Sequence, residues 1–180
     1  MTATASSSPL PASIDTDKCP NPECVETNRL ADQLERGFRG GAWHGPAIAE
    51  ALDGVDAAAA ARRLGDAHTI AEITGHVAFW IDAARRRMDG EAVTNVPPEV
   101  DFPRGGADSE DAWRATLANL ESAHRRLHTA LLALDDDRLD GAVAGSDPTV
   151  RGQLLGILQH NAYHAGQIAV LKKAGAGSPR

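Results

Sequence analysis

The sequence predicts an all-α fold, a four-helix bundle with one long crossover between its second and third long helices. Three observations carry this prediction. Four stretches repeat apolar residues in steps of three and four, and no stretch alternates as a strand would. A long interruption, residues 91–107, holds three prolines and two glycines and has no helical period.

Taken in order, residues 1–21 are rich in Ser, Thr, Ala and Pro and read as an unstructured arm. The folded domain is expected over residues 22–175. Its first helix runs from about Pro22 to Arg39 with Val25, Leu30, Leu34 and Phe38 as apolar marks, and Asn21 before Pro22 reads as its N-cap. The glycines and proline of "RGGAWHGP" break it, and a short helix, "AIAEALDG", follows. Thr69 and Glu72 have capping-box spacing and open the second long helix, in which Ile73, Val77, Trp80, Ala84 and Met88 mark the inner stripe. Gly90 ends it. A helix of about 22 residues is about 33 Å long, and an extended segment of the length of residues 91–107 can span that. The second and third helices are therefore expected to be parallel. The third, from about Ser109 to Leu134, repeats Trp113, Leu117, Leu120, His124, Leu127, Leu131 and Leu134. Ser146 or Asp147 ahead of Pro148 opens the fourth and Gly175 closes it.

Bulk properties limit the functions available to this fold. A chain of 180 residues fits one domain with a core of its own. A net charge of -7 argues against a nucleic-acid surface. No run of apolar residues is long enough to cross a membrane, and "MTATASSSPLPASIDTD" has neither the basic start nor the apolar core of a secretory signal, so a cytoplasmic location is expected. Cys19 and Cys24 in "KCPNPEC" read as two free thiols; as half of a zinc site they would need two further ligands.

The chemistry lies in the histidines. In "QLLGILQHNAYHAGQIAVLKK" the inner face carries Leu154, Ile157, His160 or Asn161, His164, Ile168 and Leu171. Histidines four apart on a helix bring their rings to one side, as two ligands of one metal need. His76, three after Ile73 and four before Trp80, faces inward from another helix and can supply a third nitrogen. Three neutral imidazoles leave a coordination position open, the arrangement of a catalytic zinc site; the alternative is that each is a core histidine satisfied by a hydrogen bond. A rival pair, His124 and His128, has the same spacing, and His124 falls on the leucine seam of the third helix, so periodicity alone leaves it open as a ligand. Gln167 shares the face of His160 and His164 and can orient a bound water, hydrogen-bond a ligand histidine, or simply be a polar residue at the bundle mouth. Tyr163 can bring its hydroxyl to the pocket or sit at the core edge. Gly166 reads as a point of close helix approach. His44 and His68, at helix ends, are loop histidines at a pocket entrance or simply solvated.

The segments "GAWHGPAIAEAL", "AHTIAEITGHVAFWIDAARRRMDGEA", "DAWRATLANL" and above all "GILQHNAYHAGQIAVLKK" resemble the DinB-like superfamily, which includes the bacillithiol transferases and the mycothiol-dependent maleylpyruvate isomerases. The specific part is H-x-x-x-H-x-G-Q with an upstream G-H, and the resemblance covers about Val25 to Ala174. It implies up-down-down-up helix order, a divalent metal (zinc or nickel) on three histidines matching His76, His160 and His164, and a homodimer. It also implies activation of a low-molecular-weight thiol of a small-molecule substrate pair, for transfer to an electrophile or for isomerisation; the helix face then puts Gln167 and Tyr163 near the open position. A metal-dependent hydrolase and a non-catalytic, stress-related metal protein are the alternatives on the same fold. The cysteine segment does not belong to this pattern.

Overall fold

The computed structural model describes residues 25–175. Cys19, Cys24, the Asn21–Pro22 cap and the arm lie outside the described residues. Within them the regular elements are helices: α1 (Val25–Arg39), α2 (Ile48–Leu52), α3 (Ala57–Ala61), α4 (Ile70–Met88), α5 (Pro98–Asp101), α6 (Glu110–Leu132) and α7 (Val150–Gly175), with a 3-10 turn at Asp136–Arg138 before α7. No strand occurs among the described residues; the one β-type contact is an isolated bridge between Ala142 and Thr149.

The helix starts follow capping chemistry. The Thr69 hydroxyl accepts from the Glu72 amide (3.1 Å) and the Glu72 carboxylate accepts from the Thr69 amide (3.0 Å), so the expected capping box of α4 is present. Ser109 caps α6 through Ala112 N–H. The start of α7 differs from expectation. It opens at Val150, with Thr149 Oγ1 accepting from the Gly152 amide, rather than at Ser146 or Asp147. Its first amides instead find the carbonyls of Gly141 and Leu139, which hold the helix start against the preceding turn. Two short helices were not expected. Asp56 caps α3 by accepting from Ala59 N–H at 2.7 Å, and Pro98 at the first position of α5 turns the middle of the expected loop into one helical turn.

Each of the four long helices packs on two others: α4 on α6 and α7, and α1 on α6 and α7. Leu34, Val77, Ile81, Leu127, Leu131, Leu154 and Ile168 are fully buried where these faces meet. Removing one such side chain from water contributes about 1.5–3 kcal/mol. Polar contacts fix the registers. On α1 and α6, Arg39 meets Glu121 while Glu35 meets His124. On α4 and α6, Asp82 meets Arg126. On α4 and α7, Gln153 Nε2 donates to the Ala84 carbonyl. On α1 and α7, Glu26 meets Arg151.

The crossover after α4 runs back along that helix. Arg87 donates to the Val93 carbonyl, Trp80 Nε1 donates to Asp101 at 2.7 Å, and Pro103 lies on Gly75. A Cβ at residue 75 would stand 2.5 Å from Pro103 Cγ, so only glycine permits this seat. The crossover thereby delivers Asp101 and Phe102 to the face of α4 that carries His76.

Candidate metal centre

His76 comes from the middle of α4, and His160 and His164 from successive turns of α7. Among the described residues they form the group of ligand-type side chains able to hold a metal ion, with one nitrogen from each lying within 4.8 Å of the others. His76 Nε2 and His160 Nε2 are 2.9 Å apart. Nitrogens each about 2.0–2.1 Å from one cation stand roughly 3 Å from each other, so the separation suits a shared ion.

The outward nitrogens are already engaged. His76 Nδ1 faces both the backbone carbonyl (3.0 Å) and the carboxylate (2.9 Å) of Asp101, and His164 Nδ1 lies 2.7 Å from Gln167 Oε1. An oxygen acceptor at Nδ1 places the proton there and leaves Nε2 with a bare lone pair, the form a metal ligand requires. Without a cation, the 2.9 Å contact between two Nε2 atoms requires one of them to carry a proton. His160 has no counterpart to these arrangements: its Nδ1 is buried and unpartnered, as is Asn161 Oδ1 beside it. A cation shared by the three rings would take the place of that proton between the Nε2 atoms and fits the donor set, three neutral imidazoles with acceptors behind two of them.

The three rings are held neutral. Burial pushes His160 down to about 4, with the neighbouring His164 and His76 adding to the effect. Burial likewise lowers His76, against the opposing pull of Asp101, and lowers His164, against its hydrogen bond to Gln167. All three therefore offer lone pairs near neutral pH.

The triad opens into a cavity of about 900 Å³ whose walls include His68, Ile73, Trp80, Phe102, Tyr163, Gln167, Val170 and Leu171. Gln167 bridges the triad to the rim: while its oxygen faces His164, its amide donates to Tyr163 Oη at 2.9 Å. Tyr163 is 63% exposed, so it stands at the mouth rather than at the core edge. Gly166 also lines the cavity and has open space where its Cβ would be, so the expectation of a close helix approach there is corrected. On the inner face of α7 Asn161 is the more deeply buried, and His160 turns toward the cavity.

The rival pair is elsewhere. His124 is buried against α1, stacked on Phe38 at 3.8 Å with Nε2 2.8 Å from Glu35, and His128 stands 6.0 Å from it, ring centre to ring centre. His44 is exposed in the turn after α1. Asp101 and Phe102 were not anticipated. They lie in an aperiodic, proline-rich segment, where only tertiary structure says which side chains return to α4.

Two independent lines converge on a class: a helical protein with a three-histidine centre open to a mostly apolar cavity. The DinB superfamily model matches residues 42–168, most of the chain and all three histidines, and the chain belongs to that superfamily. No curated protein and no solved structure matches it.

Proposed function

We propose that this chain is a thiol-dependent S-transferase of the DinB superfamily, with zinc or nickel held by His76, His160 and His164. The carrying observation is the meeting of three burial-neutralised imidazoles at one end of an accessible cavity, two of them with Nδ1 committed to oxygen acceptors. The up-down-down-up order of a four-helix bundle over residues 22–175 belongs to the same reading. Its support is the sense of the helix pairs. Positions 35 and 39 meet 124 and 121, which makes α1 and α6 antiparallel, and positions 76 and 84 meet 160 and 153, which does the same for α4 and α7. Positions 26 and 37 meet 151 and 158, so α1 and α7 run together.

A divalent cation in this setting supplies one thing, a lowered pKa for a thiol brought next to it. The protein's own residues do the rest. Asp101 and Gln167 fix the orientation of two of the three rings. Ile73, Phe102, Val170 and Leu171 give an apolar wall that thins the water around a nucleophile and seats the carbon frame of an electrophile. Tyr163, held by Gln167, presents its hydroxyl at the mouth.

Elemental analysis tests the ligands. The purified chain should carry a stoichiometric divalent ion, His160→Ala and His164→Ala should each lose it, and His128→Ala should keep it. Unchanged metal in the first two overturns the assignment. Thiol-dependent consumption of an electrophile such as 1-chloro-2,4-dinitrobenzene tests the reaction class; a metal-loaded protein without it is no transferase.

A further inference from the structure

The cavity contains a histidine that the metal reading does not use. His68 directly precedes the Thr69 cap of α4 and lines the cavity. Its Nδ1 lies 3.2 Å from Glu72 Oε2. Its ring stacks on Phe102 at 3.7 Å and 5°, and the opposite face of Phe102 stacks on His76 at 4.0 Å and 9°. His68, Phe102 and His76 thus form one pile of three rings, with Phe102 spacing the half-exposed His68 from the triad.

Glu72 decides how His68 is protonated. It is 5% exposed and every part of its carboxylate is used. Oε1 accepts from Arg63, and Oε2 accepts from the Thr69 amide and faces His68. Burial alone would raise this carboxyl, but the Arg63, Thr69 and His68 hydrogen bonds outweigh it and hold Glu72 below the usual carboxylate range. An ionised carboxylate only accepts hydrogen bonds, so the neutral His68 ring must carry its proton on Nδ1. Nε2 is then a bare acceptor. A carboxylate behind an imidazole that faces a reaction cavity is the arrangement by which a histidine is fixed as a base.

We infer that His68, oriented by Glu72 and Phe102, is the proton acceptor of the cavity, taking through one bridging water the S–H proton of a small thiol bound beside the triad. The S–H bond breaks, its electron pair stays on sulfur, an N–H bond forms at His68 Nε2, and the half-exposed ring passes the proton to water. This rests on the thiol-transfer reading for the identity of the acid, whereas the bare Nε2 does not depend on it. It also gives the capping box a second task, since the carboxylate that closes the start of α4 is the one that sets the tautomer.

Nitrogen-15 spectra of the labelled full chain test the tautomer without metal or turnover. The neutral His68 ring should be protonated at Nδ1 and bare at Nε2, and an Nε2–H ring overturns the inference. The zinc-loaded chain is then titrated with 2-mercaptoethanol. The His68 ring signals should shift while those of His128 stay fixed, and thiol binding with no response at His68 also overturns it. With 1-chloro-2,4-dinitrobenzene as electrophile, His68→Gln should lower kcat about 100-fold with zinc content unchanged. An unchanged kcat overturns the assignment. A chain that binds no zinc, or turns nothing over, defeats the transferase reading alone, because the tautomer still decides what His68 offers the cavity.

Discussion

Two regions of this molecule carry histidines at positions i and i+4 on a long inward-facing helix, and they have opposite characters. At His160 and His164 the rings meet a third imidazole across the helix interface, and Nε2 atoms face each other at 2.9 Å. At His124 and His128 the helix across the interface supplies Glu35 and Phe38 instead, so Nε2 of His124 is satisfied at 2.8 Å and its ring is covered. Glu35 is in turn bonded by Arg39, which also binds Glu121. The second region is a finished structural joint. The first has converging nitrogens, spaced as a shared cation would need. The spacing of ligands along one helix therefore says little; what the neighbouring helix brings to that face decides between a joint and a centre.

The largest test of this contrast exchanges the readouts. His164→Ala should abolish stoichiometric metal in elemental analysis, whereas His124→Ala should leave it intact and lower unfolding stability by about 2–4 kcal/mol, through a lost stack, a cavity and the lost hydrogen bond to Glu35, which keeps Arg39. Denaturant unfolding of the metal-free proteins measures the second effect. Metal loss from His124→Ala with little change in stability would mean the two regions had been assigned the wrong way round.

A smaller effect sharpens what makes the triad a centre. Asp101→Asn keeps a side-chain oxygen and the backbone carbonyl near His76 Nδ1 but removes the charge, and Asp101→Ala removes the side-chain acceptor altogether. Metal affinity, measured by chelator competition, should fall by about 10–100-fold for the alanine variant and less for the asparagine. Equal affinities for all three proteins would show that the backbone carbonyl alone orients the ring.

How much of this was legible in the sequence follows from how local each cause is. The α4 cap, the α6 stripe and the pairing of His160 with His164 rest on spacings within one helix, and these lie where expected, whereas the approach of His76 depends on how α4 packs on α7. The α7 start was misplaced by two or three residues because its amides bond Gly141 and Leu139, which no capping rule anticipates. Asp101, Phe102 and the role of His68 come from a crossover whose path is set by the fit of Pro103 on Gly75, a contact between segments that share no pattern. Likewise His124 had the spacing of a ligand, and the residue that decides its role, Glu35, is on another helix.

The subtlest difference between the two regions is their response to acid. His160 is held down to about 4, against an ordinary 6.5, by burial and by its two imidazole neighbours, which outweigh the opposing pull of Asn161 and of the Asp101 charge. His124 is also lowered by burial, yet Glu35 at 2.8 Å opposes the shift and would form an ion pair with the protonated ring. In the metal-free chain the unfolded state then binds more protons than the folded state between pH 6.5 and about 4, so stability is fullest above 6.5 and falls with pH through that window. Replacing the histidine with leucine removes its share of the fall. His160→Leu should flatten the pH dependence of unfolding more than His124→Leu, and at neutral pH it should cost little stability, since it removes a ring with one buried, unpartnered nitrogen. Urea unfolding of the two variants across this window measures both slopes. A steeper remaining slope in His160→Leu than in His124→Leu would place the acid-sensitive strain at the joint with Glu35 and not at the triad.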